Sequence, residues 1–160
     1  MAIISLVLTV MQCSSLTKMH IVFLSLGTNL GDKERNLNDA IAHIQRRIGT
    51  VVAKSAFVKT DPWGFVSENA FLNAAVKVET LLTPEDVLRV SKEIEQALGR
   101  TTKSVCREYH DRIIDIDILL YYAGSVIEGD GLHMSTPELT IPHPLMNERD
   151  FVLVPLKEIL

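Results

Sequence analysis

The chain has 160 residues, with 16 Lys plus Arg against 20 Asp plus Glu and a formal net charge of -4. That length suits one domain able to bury roughly two-thirds of its unfolded surface. Hydrophobic residues at 47% and charged residues at 22% exclude disordered, collagen-like and coiled-coil classes, and the acidic balance argues against gripping nucleic acid through bulk charge.

Met1 to Met11 is apolar with no positive residue before Lys18, so it lacks the charged start of a secretory signal. Gln12 stands where a lipoprotein signal needs a small residue before Cys13. We read residues 1–18 as a non-native or dispensable extension, with a targeting segment as the alternative, and 19–160 as a single domain. Cys13 and Cys106 are too few for a disulfide framework, and no apolar run is long enough to span a bilayer. The expectation is a cytoplasmic protein without membrane or nucleic-acid partners.

His20–Leu26 reads as a buried strand ending at Gly27. Asp32 then offers a helix cap, and Leu37, Ala40, Ile41, Ile44 and Ile48 follow at helical spacing up to Gly49. Val51–Thr60 reads as a second strand, and a loop containing Pro62 and Trp63 leads to a third, Phe71–Thr80. There Leu72, Ala74, Val76 and Val78 share one face, and Phe71, Asn73, Ala75, Lys77 and Glu79 the other. Thr83-Pro84-Glu85-Asp86 starts a second helix with a capping hydroxyl, an early proline and acids near the positive dipole end. Val87, Val90, Ile94, Ala97 and Leu98 form its apolar side. A basic loop from Arg100 to Arg112 precedes the fourth strand, Ile113–Tyr122.

The order β-α-β-β-α-β is that of a ferredoxin-like α+β fold, an antiparallel sheet with helices on one face. The last forty or so residues, rich in Gly and Pro, add a hairpin and a short helix.

The most specific chemical signal is Arg112-Ile-Ile-Asp115-Ile-Asp117. On a strand, positions two apart project to the same side, whereas on a helix they would diverge by about 200°. Asp115 and Asp117 therefore stand together, about 7 Å apart at the backbone, while Ile114, Ile116 and Ile118 face the core. Such a pair suits Mg²⁺, which takes one or two carboxylates plus substrate phosphates; unrelated solvated acids are the bland alternative. Arg100, Lys103, Arg107, Arg112 and Arg149 supply cations suited to polyphosphate oxygens. Gly27-Thr28-Asn29-Leu30-Gly31 lacks the spacing of known phosphate loops and reads as a plain tight turn. Trp63, Phe71, Asn73 and Phe151 could hold a flat heteroaromatic ring, or could simply pack under the C-terminal segment. His143 lies between Pro142 and Pro144, where a stiff backbone suits a positioned donor.

Taken together, FLSLGTNLGD, TDPWG, FLNAAV, Glu95 with Gly99-Arg100, DRIIDIDILL and IPHPLMNERDFVLVPL resemble the 6-hydroxymethyl-7,8-dihydropterin pyrophosphokinase family of folate biosynthesis, in family order over most of the chain. The resemblance implies transfer of pyrophosphate from ATP to the pterin hydroxymethyl group, with two Mg²⁺ ions on Asp115 and Asp117. It implies Arg100 and Arg112 as catalytic phosphate ligands with those aspartates, and Glu95, Ile118 (through its backbone), His143 and Arg149 as further ATP contacts. Thr60, Pro62, Trp63, Phe71, Asn73 and Phe151 would form the pterin slot. Tyr109-His110-Asp111 stands where many members carry Trp-Gly-Pro, and the loop after Gly99 is long. A monomer acting on two small molecules is expected. The alternatives are a ferredoxin-like nucleotide- or ligand-binding module without catalysis, and an RNA-recognition module, which the paired aspartates and the acidic balance disfavour.

Overall fold

The computed structural model describes residues 18–64, 66–99 and 111–160. The expectations for residues 1–17, Arg100, Lys103, Cys106, Arg107 and Tyr109-His110 lie outside the described residues.

Strands β1 (His20–Thr28), β2 (Gly49–Lys54), β3 (Val58–Thr60), β4 (Phe71–Thr80) and β5 (Asp115–Tyr122) form one sheet. Its order is β2-β4-β1-β5, with β3 also pairing β4, and every recorded pairing is antiparallel. Helices α1 (Lys33–Arg47) and α2 (Pro84–Ala97) join these strands in the order read from the sequence. Both caps form: the Asp32 carboxylate accepts from Arg35 N at 3.1 Å, and Thr83 Oγ1 accepts from Asp86 N at 3.2 Å.

The helices cover one face of the sheet. Leu37, Ala40 and Ile44 of α1, with Val87, Val90 and Ile94 of α2, pack against Leu24, Leu26, Val76, Val78, Ile116 and Ile118. Each such aliphatic side chain contributes about 1.5–3 kcal/mol on leaving water, and this apolar face therefore sets the register of the sheet.

Three expectations are corrected. The run Val51–Thr60 is two strands, because Ser55 interrupts it. Ser55 N donates to Ala75 O at 3.0 Å, but its hydroxyl, not its carbonyl, accepts from Ala75 N at 2.9 Å. The backbone is thereby released from the ladder, and Ala56 N turns to the Glu158 carboxylate. On α2, Ala97 is exposed and Glu95 is buried in its place. Gly27 does not end β1; it pairs inside the strand with Asn73 on one side and Asp115 on the other.

The C-terminal additions are a small hairpin, β6 (Met134–Ser135) with β7 (Thr140–Ile141), a short 3₁₀ turn at Met146–Glu148, and helix α3 (Asp150–Ile159). Helix α3 lies on the face opposite α1 and α2. Its Val152, Leu156 and Ile159 join Ile21, Phe23, Ala75 and Leu119 in a second apolar cluster. A bulge in β5 helps build this cluster. The register shifts between Phe23 and Leu24, so Leu119 and Leu120 both reach the second cluster while Ile116 and Ile118 stay in the first.

Candidate active site

The second face of the sheet is apolar only along part of its length. Where α3 begins, the strands carry polar or small residues instead, and a cavity opens there. Its floor follows from strand register. Asn73 on β4 pairs with Gly27 on β1, which pairs with Asp115 on β5. The neighbouring row is Ala75, Ser25 and Asp117, and Thr60 on β3 sits opposite Phe71. Two interstrand steps of about 4.8 Å put the Asn73 and Asp115 backbones about 10 Å apart, with Gly27 between them. A Cβ on Gly27 would lie 3.1 Å from Asn73 Oδ1 and 3.9 Å from the Phe71 ring. Glycine here keeps the middle of the floor clear for a ligand.

One end of the cavity carries the neutral polar pair Asn73 and Thr60, with Asp61 next to Thr60 in the lining. Asn73 is 3% exposed, and its amide nitrogen donates to Thr60 Oγ1 at 2.8 Å. That bond holds the Asn73 amide in place, with its Oδ1 beside Gly27.

The opposite end is charged. Asp115 pairs with Arg112 at 2.5 Å, and both side chains are largely buried. Asp117 is pushed up to about 8, first by loss of solvent and then by the charges of Asp115 and Glu95; Arg112 and Arg149 oppose the rise. Glu95, only 5% exposed, accepts a hydrogen bond from Ile116 N at 2.7 Å. It thus supports β5 from the helix side and adds negative charge behind Asp117. Among the described residues no three His, Cys, Asp or Glu side chains converge on one point, so a cation here would have the two aspartates as its protein ligands.

Arg112 is held through its backbone as well. Asn29, 1% exposed, accepts from Arg112 N through Oδ1 at 2.8 Å and donates its own N–H to Arg112 O at 3.1 Å. The segment read as a plain turn after β1 is therefore a clamp on the start of β5.

The remaining wall comes from the start of α3 and the loop after β3. The Arg149 guanidinium lies 4.8 Å from the Trp63 ring centre and 5.8 Å from that of Phe151, and the two rings are 6.3 Å apart. Arg149 O accepts from Val152 N and Leu153 N, which fixes this corner as the first turn of the helix. His143 sits behind β5, with its N–H donating to Leu119 O and its Nδ1 accepting from Leu145 N. Burial and the Arg149 charge push its imidazole below the usual range, against the pull of Asp115. The ring is thus neutral near pH 7, with its proton on Nε2.

The family model for 7,8-dihydro-6-hydroxymethylpterin-pyrophosphokinase (HPPK) matches residues 23–160. This chain belongs to that family. A pyrophosphokinase from Porphyromonas gingivalis, named for 2-amino-4-hydroxy-6-hydroxymethyldihydropteridine, is 46% identical over 141 residues, 88% of this chain and 91% of that protein. A relative of the same name from Methylorubrum extorquens is 44% identical over 138 residues, covering 86% and 80%. In shape, the chain is similar to a crystal structure of Plasmodium falciparum HPPK-DHPS, with a TM-score of 0.65 at 18% identity; the match covers 91% of this chain and spans 43% of that longer one.

Of the residues the sequence singled out, Thr60, Trp63, Phe71, Asn73, Arg112, Asp115, Asp117, Arg149 and Phe151 line this one cavity of the pyrophosphokinase fold. Pro62 lies in the same loop, between the lining residues Asp61 and Trp63. Glu95, Ile118 and His143 do not line it. The Ile118 side chain is 3% exposed in the main core, so only its backbone is available to a ligand. Ser25, Asp61 and Val152 also line the cavity and are not among the predicted site residues, and Gly27, read from the sequence only as the start of a tight turn, lines it too. The signal for two of them was present: on β1, Ile21, Phe23, Ser25 and Gly27 alternate onto one face, and its bulk falls away where the cavity begins.

Proposed function

We propose that the chain transfers the β,γ-pyrophosphoryl group of ATP to the hydroxymethyl oxygen of 6-hydroxymethyl-7,8-dihydropterin, forming the pterin diphosphate and AMP, a step of folate biosynthesis. The observation that carries this reading is the floor row Asn73, Gly27, Asp115. A flat ring laid over Gly27 meets an amide at one end and paired carboxylates with an arginine at the other. Thr60, Pro62, Trp63, Phe71, Asn73 and Phe151 form the pterin slot, with rings for stacking and Asn73 to read the amide edge.

In the reaction the alcohol oxygen bonds to the β-phosphorus and gives up its proton to solvent, while the bridging bond to the α-phosphate breaks, its electron pair leaving with AMP. Phosphoryl transfer leaves little covalent work to side chains, so positioning and charge neutralisation carry the rate. Arg112 and Arg149 supply fixed positive charge at the carboxylate end, and by the family resemblance Arg100 would be a further phosphate ligand. His143 offers a neutral N–H donor, Glu95 steadies β5 beside the ATP site, and the backbone at Ile118 serves the adenine.

Asp115 and Asp117 are hard oxygen donors side by side, and burial, followed by the charges of Asp115 and Glu95, disfavours the ionised Asp117 carboxylate, a cost that a bound cation would offset. That donor set fits Mg²⁺. Asp115 and Asp117 would hold two such ions, which would supply neutralisation of the phosphate charge. We place the enzyme in the cytoplasm as a monomer.

The test incubates the protein with ATP, Mg²⁺ and the pterin and resolves AMP from ADP. Pterin-dependent AMP supports the reading. ADP, or no turnover by a folded protein, overturns it in favour of another acceptor or of a module that binds without catalysis.

A further inference from the structure

Asp111, immediately before Arg112, is exposed but not idle. Its Oδ1 accepts from Asn29 Nδ2 at 2.6 Å and from Ser67 Oγ at 2.7 Å, and its Oδ2 accepts from Asn69 Nδ2 at 3.3 Å. Ser67 Oγ in turn accepts from Asn69 N at 3.1 Å, so the hydroxyl proton points at Asp111. Three donors from two separate loops converge on this carboxylate. An ionised carboxylate is the group that can accept from all of them at once; an amide would turn its own NH₂ toward a donor.

The consequence runs through Asn29. That side chain is buried, its Oδ1 grips the Arg112 N–H, and its NH₂ is taken by Asp111. Without Asp111, a buried donor would lose this acceptor, and the amide would have reason to rotate off the Arg112 backbone. The guanidinium of Arg112 leaves the same backbone to pair with Asp115.

We propose that Asp111 is a positioning residue for Arg112: its carboxylate gathers the β1–α1 loop and the Ser67–Asn69 turn onto the start of β5 and so sets where the Arg112 guanidinium stands against the phosphates. The inference rests on the proposed pyrophosphoryl transfer for its kinetic consequence, and on the hydrogen bonds alone for its structural one.

The experiment compares the native chain with Asp111→Asn and Asp111→Glu. Pterin-dependent AMP release yields kcat and KM, and the Arg112 Nε–Hε NMR resonance, assigned by its absence in Arg112→Lys, reports the guanidinium directly. For Asp111→Asn we expect kcat to fall about 10- to 100-fold, as misplacing a reacting-site group does. Both KM values should stay within about threefold of native, because transition-state contacts and not ground-state ones are lost. The Arg112 resonance should move, and Asp111→Glu should restore most of both. An unmoved Arg112 resonance overturns the proposal whatever the activity. A native kcat in Asp111→Asn, or a loss confined to KM, overturns it as well. If the native chain itself releases no AMP, the proposed function fails while the resonance still decides the link between Asp111 and Arg112.

Discussion

Replacing Asp117 with Asn should make the protein more stable while abolishing turnover. Asp117 is held at about 8 against an ordinary 3.8, by burial, Asp115 and Glu95, in that order. A carboxyl so displaced, at about 1.4 kcal/mol per pH unit, has a ceiling of about 6 kcal/mol against its ionised form. The cavity opens to water and Arg112 and Arg149 face the group, so we take about a third of that ceiling, about 2 kcal/mol. The sign follows from linkage. The folded state holds the proton more tightly than the unfolded chain, so the stability it contributes is complete below about pH 4 and is lost as pH rises through about 8. Asn cannot ionise and escapes that loss. In metal-free buffer, Asp117→Asn should therefore melt with the native chain near pH 4 and progressively above it up to about pH 8, by about 4–8 °C for a domain of this size. Adding Mg²⁺ should raise the native melting temperature more at pH 8 than at pH 6 and leave the variant unmoved, since binding must displace the Asp117 proton. A variant that melts below the native chain at pH 8 would mean that the Asp117 carboxylate stabilises the fold in its ionised form.

Asn73→Ala removes the Thr60-anchored amide and should raise the pterin KM about 10- to 100-fold, with ATP KM unchanged, in steady-state assays. Trp63 is the single tryptophan of the chain and carries the Arg149 guanidinium 4.8 Å from its ring. Binding of an ATP analogue should change its emission, and Arg149→Ala should abolish that change while weakening nucleotide binding in the same titration. Leu156→Ala empties a position 1% exposed on the second face of the sheet and should cost about 2–5 kcal/mol in urea unfolding. A loss below about 1 kcal/mol there would mean that α3 packs loosely and does not brace Arg149 and Phe151.

The residues that resisted sequence reading share a cause: their roles depend on partners distant in the chain. Glu95 sits in an apolar stripe with Val87, Ser91 and Ile94. Periodicity alone marks it as an anomaly, and only the Ile116 N–H across the interface explains its burial. Ser55 reads as an ordinary strand residue, yet its hydroxyl takes over a ladder position from its own carbonyl. Asn29 looked like part of a turn because its bonds to Arg112 and Asp111 reach more than eighty positions ahead.

Local periodicity and turn chemistry were enough for the order of strands and helices, both helix caps, the two faces of β4 and the pairing of Asp115 with Asp117 on one side of β5. These features depend on backbone geometry within a few residues, which side-chain spacing reports directly. The resemblance carried by six short segments extended that to a family. The tertiary structure alone decided that Gly27 lies between Asn73 and Asp115, that α3 closes the far face and brings Arg149 and Phe151 to Trp63, and that burial raises Asp117. Each of these is a relation between strands or loops joined only through the folded core, and no spacing along the chain encodes the register or the dielectric in which they meet.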